Sequence, residues 1–164
     1  MIAHCYRSLG FLAFGLLVIA AAPPTWAAEP PAHQHASAEG LTLNEGKKWA
    51  TDEALRQGMA KMRSAVGFAV SEMHRAAFPE QAYAALADRL QEQVDFVVGN
   101  CKLPEAADEQ LHIVLEQILE GINALRSPSE HLRGAMMVTE ALDSYGRFFE
   151  HPGWMPVVAG SSAR

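Results

Sequence analysis

The sequence predicts an all-α fold, an up-down-up-down four-helix bundle that follows a cleaved signal peptide. Three features predict it. Apolar residues recur at helical spacing in four segments, a proline or capping residue precedes each segment, and no segment alternates as a strand would. The connections are short, which places neighbouring helices antiparallel. Each apolar stripe can therefore be buried only against the other helices.

The first 27 residues are typical of a secretory signal peptide. Arg7 precedes an apolar run from Leu9 to Ala22, which contains no charged residue. A helix of that length rises about 21 Å, less than the roughly 30 Å hydrocarbon core of a bilayer. We therefore expect cleavage after Ala27, a periplasmic or secreted protein, and no stable membrane anchor.

The predicted mature chain is acidic. Cleavage removes one of the 13 basic residues and none of the 19 acidic ones, which leaves a formal charge of −7. An acidic surface repels nucleic-acid phosphates and anionic lipids, so we expect neither as a partner. Cys101 becomes the one cysteine of this sequence after the cleavage site, so no internal disulfide is expected.

The rest of the chain divides by composition. Residues 28–40 have no large apolar side chain and predict a disordered tail, in which His33 and His35 could bind a divalent ion weakly. Residues 41–50 include Trp49 and predict a lead-in segment that packs over one end of the bundle. The bundle domain is predicted to span residues 51–158, and residues 159–164 a frayed C-terminus.

Each predicted helix has a start signal and an apolar inner face. Thr51 is predicted to cap the first helix, Pro79 and Pro104 to begin the second and third, and Ser127 and Glu130 to form a capping box for the fourth. In chain order the four inner faces are Leu55, Met59, Met62, Val66, Ala69 and Met73; Tyr83, Leu86, Leu90, Val94, Val97 and Cys101; Leu111, Leu115, Ile118, Ile122 and Leu125; and Leu132, Met136, Thr139, Leu142, Gly146 and Phe149.

Two segments carry a family resemblance, KWATDEALRQGM at residues 48–59 and GNCKL at residues 99–103. They resemble the small exported proteobacterial proteins labelled DnrO protein. The resemblance covers most of the predicted mature chain and implies bacterial export and a helical domain. It names no catalytic residue.

One end of the predicted bundle gathers soft ligands. Cys101, His112 and Met59 would suit copper, and Asp108 in place of the methionine would suit zinc. The alternative interpretation is structural, since methionine often fills gaps in a core and Cys101 continues an apolar stripe.

The opposite end carries a second tentative set, which comprises Met73, His74, His131, Met136 and Met137. Here too a structural interpretation competes. Methionines on a stripe belong to the core, and histidines at helix ends, such as His74 and His131, are typically solvated.

A b-type haem is a further alternative. Met59 or Met62 with His151 resembles the axial ligand pair of soluble four-helix b-type cytochromes, although Pro152 follows the histidine directly. The sequence has no Cys-x-x-Cys-His motif, so it excludes covalent haem of the c type.

The sequence favours no enzyme class. It contains no phosphate-binding loop and no nucleophile elbow, and its single Glu-x-x-His motif falls short of a di-iron site. We therefore expect a non-enzymatic exported protein that binds a soft metal, copper or zinc. A ligand-free protein-interaction module, which predicts exposed apolar patches, and a haem protein are the alternatives, and a homo-oligomer remains open.

Overall fold

The structure is a computed structural model that describes residues 40–157. These residues form four helices, α1 (Glu53–His74), α2 (Glu80–Asn100), α3 (Glu105–Leu125) and α4 (His131–Phe148), and within the described range only isolated bridges occur in place of strands. The all-α prediction is therefore confirmed. The predicted signal peptide, the tail with His33 and His35, and residues 158–164 lie outside the described residues. Among the helices that the structure describes, none is long and apolar enough to cross a bilayer.

The start of α1 differs by one residue from the prediction. Asp52, and not Thr51, is the N-cap, because its Oδ1 accepts the Leu55 N–H at 2.7 Å. The Thr51 hydroxyl instead donates to the Glu150 carbonyl at 2.6 Å. Thr51 therefore ties the start of α1 to the segment that follows α4.

The other helix starts are simpler. Pro79 and Pro104 precede α2 and α3 directly, at the N-cap position. The predicted capping box of α4 is wrong, because Glu130 stands at the N-cap without a side-chain cap and the Ser127 hydroxyl lies 3.3 Å from that of Ser129. The serine side chains therefore satisfy each other within the turn and leave the first N–H groups of α4 uncapped.

The core follows the predicted stripes of the first three helices. Each helix packs against the next one in the chain, α1 also contacts α4, and the α3–α4 contact is the most extensive. The predicted inner residues of α1, α2 and α3 are buried except for Met73 and Cys101, which are half-buried at the ends of their stripes.

The inner face of α4 differs from the prediction. Leu132 and Met136 were expected inside, but they are 62% and 63% exposed. Gly134 faces the core, so close to α3 that a Cβ added to it would lie 2.5 Å from the Leu125 nitrogen and 2.7 Å from the Gly121 oxygen. A helix turns by about 100° per residue, so positions two before and two after Gly134 point almost directly away from α3.

The lead-in segment contacts the end of α4. The Trp49 N–H donates to the Phe148 carbonyl, and the Glu150 N–H donates to the Trp49 carbonyl, each at 2.8 Å. The Trp49 indole N–H donates to the Thr42 carbonyl at 2.6 Å. These bonds satisfy backbone groups on both segments and hold the lead-in at a fixed place.

The first testable prediction concerns the contact between α3 and α4. We expect Gly134→Ala to destabilise the fold by about 1–3 kcal/mol, because the new methyl group meets backbone atoms that cannot rotate away. Gly67→Ala is the matched control, since nothing lies within 4 Å of a Cβ at that helical position. It should stabilise by about 0.5–1 kcal/mol. Urea unfolding monitored by circular dichroism measures both, and equal midpoints would contradict the proposed packing constraint.

Candidate functional site

Cys101 lies beside a carboxylate that caps another helix. It is half-buried at the C-terminal end of α2, and its thiol donates a hydrogen bond to the carboxylate of Asp52. The same carboxylate accepts the Lys102 N–H at 2.6 Å through Oδ2. Burial alone would raise the pKa of the Asp52 carboxyl group. Hydrogen bonds from the Leu55 N–H, the Lys102 N–H and the thiol stabilise the carboxylate and hold that pKa below its ordinary value.

This environment keeps Cys101 protonated. Burial and the negative charge of Asp52 raise the pKa of the Cys101 thiol to about 12. The thiolate is both the nucleophile and the metal ligand, so a thiol with this pKa is a weak candidate for either role at neutral pH.

The other members of the first predicted metal set lie in different environments. Met59 is fully buried in the core, whereas the His112 side chain is 64% exposed. The His112 Nδ1–H donates to the Asp108 carbonyl at 2.8 Å and lies 3.5 Å from the Asp108 carboxylate. Within residues 40–157, no three His, Cys, Asp or Glu side chains are grouped so that they could hold a metal ion. The first metal set therefore stays a prediction without a cluster to support it.

An aromatic cluster occupies the end of α4. The buried Tyr145 hydroxyl lies 3.0 Å from His151 Nδ1, and Trp154 packs edge-on against Tyr145. Burial, followed by the positive charges of Arg56 and Arg63, lowers the pKa of His151, and burial raises the pKa of Tyr145. His151 is thus neutral at pH 7 and has a fixed hydrogen-bond partner.

The haem alternative gains no support from this geometry. Met59 and Met62 are fully buried in the packed core. His151 lines a surface cleft with Lys47, Lys48, Glu150 and Pro152. The haem site stays a prediction.

The second predicted set leads to an apolar cleft. We call this cleft the α1/α4 groove; it has a volume of about 400 Å³ and is lined by Val70, Met73, His74, Leu132, Ala135, Met136, Thr139 and Glu140. Three members of the predicted set, Met73, His74 and Met136, therefore share one cleft. A cleft of this kind suits an apolar group, and its lining includes three polar residues, His74, Thr139 and Glu140.

His131 does not belong to the groove. The expectation that it is solvated is wrong, since it is 9% exposed and stacks on Tyr83 with ring centroids 4.1 Å apart. Its Nδ1 lies 3.3 Å from the Glu80 carboxylate. His131 therefore belongs to the packing between α2 and α4, whereas His74 is exposed.

The groove as a whole was not predicted. The sequence predicts Leu132 and Met136 in the core and makes no prediction for Val70. The available signal was the pair Gly121 and Gly134, whose small size allows close approach of two helices and so fixes which side of α4 faces inward.

Comparison with protein-family models, with curated proteins and with solved structures gives no match for this chain. The resemblance to DnrO proteins therefore stays a prediction.

The second testable prediction concerns the thiol. In a chain with Cys5→Ser, which leaves Cys101 as the one thiol, we expect iodoacetamide to react slowly at pH 8 and faster at each higher pH up to 10, because little thiolate forms below its raised pKa. Asp52→Asn keeps a good helix cap but removes the charge, so it should accelerate the reaction several-fold.

Asp95→Asn is the control for that experiment. Asp95 lies on α2, is exposed, and accepts a hydrogen bond from Gln91 at 2.9 Å, away from the thiol. Its loss should leave the alkylation rate unchanged. Equal rates for D52N and D95N would show that Asp52 does not hold the thiol in its protonated form.

Proposed function

We propose that this chain is an exported, non-enzymatic four-helix-bundle protein whose α1/α4 groove binds an amphipathic helix of a partner protein. The exposure of Leu132 and Met136 inside one continuous apolar groove carries the proposal. Exposed apolar surface of this kind is typical of interaction sites. It is also the feature that the interaction-module hypothesis expects.

The neighbouring parts of this sequence offer little to cover the groove. Between the predicted cleavage site and Gly40, no residue has a large apolar side chain. Residues 158–164 offer Val158 alone. Neither of these two segments therefore supplies an occupant with several apolar side chains.

The shape and charge of the surface favour a basic helix. A groove between two helices accepts the apolar face of a third, whose anchor residues recur every three or four positions. The predicted charge of −7 attracts a partner with lysine or arginine beside its apolar face and repels a second copy of the chain. The proposed occupant is thus a basic amphipathic helix.

The up-down-up-down arrangement and export belong to the same proposal. The bond from Lys102 to Asp52 joins the end of α2 to the start of α1, and the bond from Trp49 to Phe148 joins the start of α1 to the end of α4. Both hydrogen bonds support an antiparallel arrangement of neighbouring helices.

Export is supported by the apolar run after Arg7 and by the resemblance to exported proteins.

The third testable prediction concerns export. We expect the full chain, expressed in a Gram-negative host, to appear in the periplasm as a species that begins at Ala28. Intact mass and N-terminal sequencing measure this. Leu16→Arg interrupts the apolar run and should retain the uncleaved chain in the cytoplasm, whereas Leu43→Arg adds the same charge beyond the cleavage site and should not. A full-length cytoplasmic product from the unaltered chain would contradict the proposal.

The fourth testable prediction concerns the groove. We expect a helical peptide of about 18 residues, with leucine on one face and lysine on the other, to bind with a micromolar Kd, and the same peptide with glutamate in place of lysine to bind at least tenfold more weakly. Leu132→Glu combined with Met136→Glu should abolish binding, as measured by fluorescence anisotropy. Added salt should weaken the lysine peptide's binding.

Val98→Glu provides the matched control. Val98 is 66% exposed on α2, outside the groove, so this substitution adds negative charge without altering the cleft. Nonspecific attraction to the basic peptide would be preserved or strengthened in every glutamate variant. Equal binding by the double groove variant and V98E would therefore overturn the proposal.

A further inference from the structure

Three soft donor side chains line the α1/α4 groove. Met73 and His74 come from the last turn of α1, and Met136 comes from α4. Methionine is an ordinary core residue, but here Met136 is 63% exposed and contributes little to the core. The three side chains are therefore accessible to a ligand that enters the groove.

The hydrogen bond of His74 prepares its ring for such a ligand. Its Nδ1 lies 2.7 Å from the Val70 carbonyl oxygen. A carbonyl only accepts, so Nδ1 carries the proton and Nε2 keeps a lone pair in the neutral ring. Metal-bound histidines commonly donate their second N–H to a backbone carbonyl in this way, which fixes the tautomer and the orientation of the ring.

The donor set selects the metal. Two thioethers and one imidazole suit monovalent copper, whereas zinc takes thiolate, imidazole and carboxylate ligands. Within the described residues no group of three such ligands for zinc exists. A thioether has no proton to lose, so this set needs no deprotonated thiol, in contrast to Cys101 with its raised pKa.

We propose that Met73, His74 and Met136 bind one Cu(I) ion in the α1/α4 groove. This inference rests on the proposed function, in that it names an inorganic ligand of the same groove. The apolar residues Val70, Leu132 and Ala135 line the same groove as the three donors. A partner helix that docks in the groove would then cover the bound ion.

The fifth testable prediction is stoichiometric binding of Cu(I). The full chain with Cys5→Ser and Cys101→Ser lacks thiols, and its anaerobic titration with Cu(I) against bicinchoninate should reveal one tight site. Met73→Leu combined with Met136→Leu should weaken binding at least 100-fold, and His74→Gln about tenfold. X-ray absorption should find sulfur and nitrogen neighbours around the copper, and titration with Zn(II) should reveal no tight site.

Met155→Leu is the matched control. Met155 is 60% exposed but lies outside the groove, and the M155L variant retains the histidines of the N-terminal segment. Equal Cu(I) affinity of M73L/M136L and M155L, or no tight site in the parent chain, overturns the inference.

The same variants separate this inference from the proposed function. Leucine keeps the groove apolar, so M73L/M136L should still bind the basic helical peptide. Peptide binding without copper binding overturns only the metal site. Copper binding without peptide binding overturns only the partner.

Discussion

The close approach of Gly121 on α3 and Gly134 on α4 determines how the last helix is turned. A helix advances by about 100° per residue, so His131 lies about 60° and Tyr145 about 20° from the direction of Gly134. Both are buried, one against α2 and the other at the end of the domain. Met136 lies about 160° away and is exposed. One contact between two glycines thus buries a histidine and a tyrosine, and it turns a methionine toward α1, where the groove forms.

The same contact explains where the sequence predicted the fold correctly and where it did not. The stripes of α1, α2 and α3 consist mostly of large apolar residues, whose burial dominates the free energy, so their spacing identifies the inner face. On α4 the position that packs closest to α3 is Gly134, which has no side chain. Spacing of large residues selects the wrong side of such a helix, because close backbone packing there outweighs the area that Leu132 or Met136 would bury.

The candidate site could be predicted only in part, for a similar reason. The sequence grouped Met73, His74 and Met136 with His131 and Met137 as a soft set, since soft donors at one end of a bundle are visible in the residue types alone. It could not separate them from His131, because the rotation of α4 decides which of these residues meet.

The environment of Cys101 could not be predicted from the sequence either. It depends on Asp52, which precedes a different helix and whose two oxygens hold Leu55 and Lys102.

The Cys101 thiol and the thioethers of Met73 and Met136 lie near opposite ends of α1. Only the thiol must lose a proton before it can bind a metal. Asp52 precedes this 22-residue helix and His74 ends it, so about 33 Å separates the two regions. At the Asp52 end a carboxylate keeps Cys101 protonated, which suppresses disulfide exchange because only the thiolate attacks. At the other end the soft donors Met73 and Met136 need no ionisation. In the oxidising compartment that export would reach, an unprotected thiol is a liability, whereas a thioether forms no disulfide. The proposed binding region therefore relies on the donors that this compartment leaves available.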